Sequence, residues 1–387
     1  MQNWNSCGPF TKTHFSQEGV NKTLTPAASI SWWQTDIGAT EIAKVKKAIE
    51  AKNISQGPVT FEFERRLSGI LRVPYVVSCT SGSTALLMAA ISLGIGSGDE
   101  VIVPNRTWIA TAHAVIMTGA RVVLADDDGL RPEIFVQSVK KKINYRTKAI
   151  LPVHLGGRGA DMQSLRKIAK KRNILIFEDA AQAFYSKNED GFLGSQSDAG
   201  CFSLSVPKLI TTWQGGFVVT RNRKTYQKLQ ALRNHGVMDP VMVKYERMGF
   251  NFRFNDILAS IGCCQLDRLG EKSVNLKKIY NLYKKNLPKT PNLFFLETDL
   301  LKGEIPLYAE VFSKNRKWLI NYLHTKGIQT RPYYPNLNQA PHIRISAKFP
   351  ASEKYGHQGL FLPCGPDQPI RNIMRTINEL KSICDKL

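Results

Sequence analysis

Between residues 75 and 220 the chain repeats one change of period: a short run that is apolar on both faces gives way to a stretch with hydrophobic residues at helical spacing, and then to another apolar run. The runs fall at 75–78, 101–104, 121–125, 149–154, 174–178, 200–205 and 217–220. The intervening stretches at 84–93, 109–118, 132–142 and 161–172 read as amphipathic helices. Strands without a polar face must be covered on both sides, and parallel neighbours need a crossover to connect them. The pattern therefore predicts an α/β fold with a mainly parallel seven-stranded sheet between layers of helix. Ligand sites in such sheets form beyond the carboxyl ends of the strands, so the residues just after each run are the first candidates for chemistry.

The flanks read differently. Residues 1–30 are polar and aperiodic and suggest a tail, or an arm packed on a neighbour. Ile42, Val45, Ala48 and Ile49 mark a helix at 40–50, and a turn from Asn53 to Pro58 leads into a second helix at 61–71. After Leu269 a Lys-rich helix at 271–287, a Pro-marked loop and mixed strands and helices predict a smaller α+β domain. The division expected is an arm at 1–30, a large domain at 31–269 and a small one at 270–387.

Charge narrows the partners. Lys and Arg number 53 against 31 Asp and Glu, a net +22, which admits nucleic acid, an anionic membrane or an anionic small substrate. The basic residues come in short groups, such as Lys140 to Lys142, Lys170 to Arg172 and Lys314 to Lys317. No Arg/Gly/aromatic repeat, zinc finger or helix-turn-helix signature accompanies them. They read as solvated helix faces with a contribution from an acidic substrate, so neither a nucleic-acid nor a membrane partner is expected. No apolar run approaches the roughly 18 residues of a spanning helix, and residues 1–20 lack the apolar core of a secretory signal. The expected location is the cytoplasm. Seven cysteines, odd in number and without a CxxC pair, read as free thiols, and no metal site is expected.

Three strand ends carry chemistry. Ser78 to Thr84 (SCTSGST) leaves a strand and opens a helix, where small residues let backbone N–H groups and hydroxyls converge on an anion. A merely well-capped helix start would look the same. Gly94, Gly96 and Gly98 precede a strand instead of following one, so they read as a loop and not as a dinucleotide fingerprint. Asp179 ends the run at 174–178, placed either to pair with a protonated pyridine nitrogen or to cap the Ala-rich segment after it. Lys208 follows the run at 200–205 in apolar company, with Ser203 before it and Gly215–Gly216 after. Burial there lowers an amine's pKa, as a Schiff-base lysine requires. An anion cup, an Asp and a Lys at three strand ends together point to pyridoxal phosphate (PLP).

On these residues, and on the segments Ile54 to Pro58, Pro152 to Leu155, Glu178 to Gln182, Leu232 to Gly236 and Gly249 to Arg253, the chain resembles the DegT/DnrJ/EryC1/StrS family of sugar aminotransferases. Among its members the motifs are most similar to those of perosamine synthases. The resemblance implies the aspartate-aminotransferase fold (fold type I), a homodimer with shared active sites, and PLP as cofactor. It implies that Lys208 bonds the cofactor and shuttles the proton, and that Asp179 binds the pyridinium nitrogen. Gln182 lies beside the ring hydroxyl, and Trp108 stacks on the ring, where residue type alone would suggest a core tryptophan. Gly82, Ser83 and Ser203 hold the phosphate with Asn251 of the second subunit, and Arg331 and Tyr333 lie near the substrate. The implied reaction moves an amino group from L-glutamate, released as 2-oxoglutarate, to the ketone of a nucleotide-linked sugar such as a 4-keto-6-deoxyhexose, in the making of amino sugars for a surface polysaccharide such as lipopolysaccharide O-antigen or a glycosylated product. A 3-keto sugar or an aminocyclitol as acceptor is the alternative, and a nucleic-acid-binding protein without catalysis the remote one. Four positions depart from the family's usual residues, namely Gly156, Phe184, Trp213 and Gln214, and all are expected beside the pocket.

Overall fold

The computed structural model describes residues 29–384 except 53, 239–243, 246 and 344. The expected arm at 1–30 therefore lies, but for its last two residues, outside the described part. Two helices lead in: α1 (Ala39–Glu50) and α2 (Pro58–Leu71), the latter opening on a proline whose missing N–H costs nothing at a helix start.

The large sheet follows. Its strands are β1 (Tyr75–Cys79), β2 (Glu100–Pro104), β3 (Arg121–Ala125), β4 (Thr147–Ile150), β5 (Leu175–Asp179), β8 (Ala199–Ser203) and β9 (Gly216–Thr220), in spatial order β1-β9-β8-β5-β4-β2-β3. Between β5 and β8 lies a two-stranded hairpin, β6 (Lys187–Asn188) and β7 (Gly191–Phe192), too short to leave a periodic trace in the sequence. The helices α3 (Gly82–Ser92), α4 (Ala110–Ile116), α5 (Val136–Lys142) and α6 (Met162–Arg172) make the crossovers, and α7 (Arg223–Arg233) follows β9. All ladders are parallel except those of β9, which runs against both β1 and β8. No helix separates β8 from β9, so that connection can only return the chain antiparallel.

The apolar run expected to continue as strand to residue 154 stops at Ile150. Pro152 cannot donate to a ladder, and the chain then turns through Gly156 and Gly157 at positive φ. At Gly157 a Cβ would lie 1.8 Å from the carbonyl oxygen of Ile305, so only glycine fits. Phe184 also departs from expectation. It packs edge-on against Phe202 and Phe217, which stack on each other at 4.6 Å in the core, and does not border the pocket.

Next come α8 (Asp256–Asp267), which crosses α1 and α2, and α9 (Leu269–Asn286). A second sheet contains β10 (Leu293–Phe295), β11 (Ala309–Ser313), β12 (Arg331–Pro332) and β13 (Gly359–Leu362) in order β10-β11-β13-β12. It is flanked by α10 (Arg316–Thr325), α11 (Pro350–Gln358) and α12 (Ile370–Ser382). The segment before α1 is tied to this sheet, with Ile30 bridged to Ile328 and Trp33 to Cys364. Ion pairs join the two halves, buried ones of Arg158 with Glu133 at 3.1 Å and Glu310 at 2.8 Å, and a half-exposed one of Arg131 with Glu304 at 2.8 Å. These charges survive burial because each guanidinium meets carboxylates on more than one side.

Candidate active site

At the carboxyl end of β1, Ser81 accepts a hydrogen bond from the Thr84 N–H at 3.1 Å and caps α3. The cap does not exhaust the loop, because Gly82 and Ser83 open onto a cavity of about 640 Å³. Ser203, at the end of β8, meets them from the other side. A Cβ on Gly82 would sit 2.7 Å from the Ser203 Cβ, so glycine is what lets the two strand ends converge. A helix N-terminus, the hydroxyls of Ser83 and Ser203 and close backbone make this corner suited to an anion, with Ser203 also bonded to Ser205 at 3.2 Å. The capping reading of the motif is thus observed at Ser81, and the residues after it are placed where an anion could be held.

Asp179 ends β5 on the cavity floor and is buried. Thr111 Oγ1 donates to its Oδ2 at 2.7 Å, the Ala181 N–H donates to Oδ1 at 3.1 Å, and Thr107 lies 2.8 Å from Thr111. Since the Thr111 proton goes to Asp179, the Thr107 hydroxyl must donate to Thr111, which orients the whole chain of hydroxyls. Burial pushes the Asp179 carboxyl above the usual range, while Thr111, Ala181 and the charge of Lys208 oppose that rise. Behind it His154 is buried. Its Nδ1 accepts the Ala160 N–H at 3.2 Å, so Nε2 carries the proton toward Glu178 Oε2 at 2.8 Å. Glu178 also takes the N–H groups of Gly194 and Gln196, and burial is outweighed there by its hydrogen bonds, chiefly that of His154, which lower its pKa.

Lys208 lies in the turn between β8 and β9, held by a bond from its N–H to the Val206 carbonyl at 2.9 Å and by the Tyr308 hydroxyl on the Pro207 carbonyl at 3.0 Å. It reaches the same cavity as Asp179. Burial lowers its amine to about 8, with Asp179 opposing the drop. An amine of that pKa is unprotonated in useful proportion near neutral pH, which solvated lysines are not.

The cavity walls include Trp108, Gln182, Gln214, Tyr308, Arg331 and Tyr334. Trp108 is 57% exposed and meets Tyr334 edge-on at 5.7 Å, so it is not a core tryptophan. Gln182 accepts the Gly156 N–H at 2.8 Å. Tyr333 also borders the cavity, with its hydroxyl spent on Glu310 and its ring under the Arg106 guanidinium at 3.7 Å. Arg331 does line the cavity, over the Trp32 ring at 4.8 Å. Asn251 is exposed, bridged to Asn234, and does not line this chain's cavity. Of the four departures Gln214 lines the cavity, Gly156 touches it through Gln182, and Trp213 faces a separate surface groove. Sequence reasoning passed over Thr111, Thr107, His154 and Tyr334. The only trace of the threonine pair is its spacing of four just beyond β2, which makes neighbours on a helix.

The family model of the DegT/DnrJ/EryC1/StrS aminotransferases matches residues 35–381. The chain belongs to that family. It is 31% identical over 357 residues to the GDP-perosamine synthase of Escherichia coli O157:H7, covering 90% of this chain and 98% of that protein. It is 32% identical over 323 residues to the UDP-N-acetyl-3-dehydro-alpha-D-glucosamine 3-aminotransferase of Acidithiobacillus ferrooxidans, covering 81% and 85%. Among solved structures DesV of Streptomyces venezuelae superposes with a TM-score of 0.83 at 29% identity, covering 90% of this chain and 95% of that one. The protein is thus a sugar aminotransferase of fold type I that works with PLP. Its residues fit that cofactor: a corner too narrow for a Cβ at Gly82, a buried carboxylate and a low-pKa lysine all line one cavity.

Proposed function

We propose that this DegT-family aminotransferase transfers an amino group from L-glutamate to the ketone of a nucleotide-diphosphate-linked 4-keto-6-deoxyhexose, using Lys208 and Asp179 as its catalytic pair. The observation that carries the reading is the convergence in one cavity of a lysine with its amine lowered to about 8, a buried carboxylate and an anion cradle, from three strand ends far apart in sequence. When bound, PLP supplies an electron sink for charge developing at the amine-bearing carbon. Lys208 would bond it and would move the proton between that carbon and the cofactor. Asp179, which accepts from Thr111 and the Ala181 N–H, would pair with the cationic ring nitrogen. Gly82, Ser83, Ser203 and the N-terminus of α3 would hold the phosphate, Trp108 would cover one ring face, and Gln182 would lie beside the ring hydroxyl.

Asn251 would complete the phosphate site from a second copy. A surface groove lined by Ile42, Val45, Ile49, Trp213, Ile257 and Ile261 supports a homodimer, since Ile42, 67% exposed, and its neighbours gain by burial against another copy. Arg331 at the cavity mouth and the net charge of +22 favour an acceptor bearing a diphosphate. The relatives named for GDP-perosamine favour amination at the 4-position, and the relative acting on a UDP-linked 3-dehydro sugar makes the 3-position the second reading. The test offers the purified protein GDP-, dTDP- and UDP-linked 4-keto and 3-keto sugars with glutamate and resolves products by mass. Glutamate-dependent gain of an amine on a GDP-linked 4-keto sugar is expected. Turnover confined to 3-keto sugars would move the assignment, and no amination of any keto-sugar nucleotide by PLP-loaded protein would overturn it.

A further inference from the structure

The active site occupies the carboxyl end of the large sheet, and the opposite end is where the basic surplus gathers. Helices α5 and α6 both run back from the active-site end. They finish beside the strand starts on Lys140–Lys142 and Lys170–Arg172, in contact with one another. None of those six side chains makes an ion pair among the described residues, and all but Lys142 are exposed. Arg121 and Arg146 stand at the starts of β3 and β4 and share the buried Glu100, which leaves a net positive charge. The acidic residues on the strand-start loops are Asp99, Glu100 and Asp198. Asp99 is tied to the Gly96 N–H, and Asp198 receives the Ile176 N–H. In the linear sequence the two triplets are about thirty residues apart and read as separate solvated helix ends. The parallel topology puts them on one face.

Two apolar side chains protrude from the same face. Tyr145, 92% exposed, lies between the end of α5 and β4 with Arg146 at 5.3 Å from its ring, and Met117, 72% exposed, ends α4 just before Arg121. Neither belongs to a core cluster.

We propose that this end of the sheet is a docking face for an anionic lipid bilayer. Seven strands about 4.8 Å apart make it roughly 29 Å wide. It presents blunt helix ends with flexible lysines rather than a groove or a protruding recognition helix. Lysines near an anionic leaflet are drawn to its surface potential, and an aromatic side chain between them gains by settling among headgroups, where a phosphodiester backbone would offer it nothing. Among the described residues no helix is long and apolar enough to cross a membrane, a matter separate from lying on one. Docked this way, the cavity at the other end of the strands opens to solution and its substrates diffuse in unhindered. The inference goes beyond the proposed reaction and does not depend on it.

The test is co-sedimentation of the full-length, PLP-loaded protein with vesicles of phosphatidylcholine alone or with about 30% phosphatidylglycerol, in about 0.1 M salt. Binding to the anionic vesicles only, released when salt screens the surface, is expected. The variant K140Q/K141Q/K170Q/K171Q should lose several hundredfold in partition, at roughly fivefold per charge, with turnover in solution unchanged. Tyr145→Ser should weaken binding severalfold at unchanged charge. Failure of the parent to sediment with anionic vesicles would overturn the proposal, as would a quadruple variant that binds like the parent. Tighter binding to a DNA duplex, lost in the quadruple variant, would assign the face to nucleic acid instead.

Discussion

Replacing Lys208 by methionine, which keeps the length of the stem and deletes the amine, should abolish activity and at the same time stabilise the cofactor-free protein. Burial takes the amine from an ordinary 10.5 to about 8. At about 1.4 kcal/mol per pH unit the gap is worth about 3 kcal/mol. The folded state holds fewer protons than the unfolded chain between those two values, so stability must rise with pH across that window. Below pH 8 the lysine is charged in both states and the folded protein bears the whole cost. Above 10.5 it bears none. Methionine removes that cost, in which the attraction to Asp179 is already counted, so the gain is about 3 kcal/mol at pH 7 and fades toward zero by pH 10.5. Urea unfolding followed by circular dichroism, at one protein concentration and several pH values from 7 to 10.5, measures it. A methionine variant less stable than the parent at pH 7, or an advantage that does not change with pH, would show that the amine is solvated and would refute the reasoning.

Other expectations follow from the same contacts. Thr111→Val deletes the hydroxyl that donates to the buried Asp179, a bond to a charged group worth about 1.5–3 kcal/mol; kcat/KM should fall roughly 10- to 150-fold with the fold intact, and Thr111→Ser should recover most of it. Gly82→Ala puts a methyl group 2.7 Å from the Ser203 Cβ, so the protein should fold yet lose PLP on dialysis, read from its absorption spectrum. Phe184→Ala empties a core position between Phe202 and Phe217 and should cost about 3–5 kcal/mol in denaturant unfolding while PLP absorbance at low temperature persists. If Asn251 serves the other subunit's site, two inactive proteins, Lys208→Ala and Asn251→Asp, should regain activity when refolded together, up to about a quarter of the parental sites for random mixing in a two-fold dimer; no recovery in proven mixed dimers would exclude a shared site.

How much of this was legible beforehand depends on the range over which each feature is determined. The seven strands of the large sheet, the helices between them, and the positions of Asp179, Ser203 and Lys208 at strand ends all follow from residues adjacent in the chain. The switch between a period of two and one of 3.6 marks the elements, and the end of an apolar run marks where the chain meets the ligand face. Expectations failed where direction and distance matter. Tyr333 and Tyr334 both border the cavity, but that the Tyr333 hydroxyl is taken up by Glu310 depends on the register of β12 on β13. Phe184 is beside Asp179 in sequence, but it is turned into the aromatic core by a loop whose course depends on Phe202 and Phe217.

By itself, then, the sequence determined the class of fold, the order of its elements and the three residues or clusters that make PLP chemistry available, because these are local or nearly local properties of the chain. Only the tertiary structure decided that Thr111 would orient a carboxylate 68 residues away, that isoleucines of α1 and α8 would line one groove, and that lysines from two separate helices would share one face. Those are juxtapositions of residues distant in sequence. They are set by strand order and by the hand of the crossovers, which the packing of the whole sheet decides and no short stretch of sequence encodes.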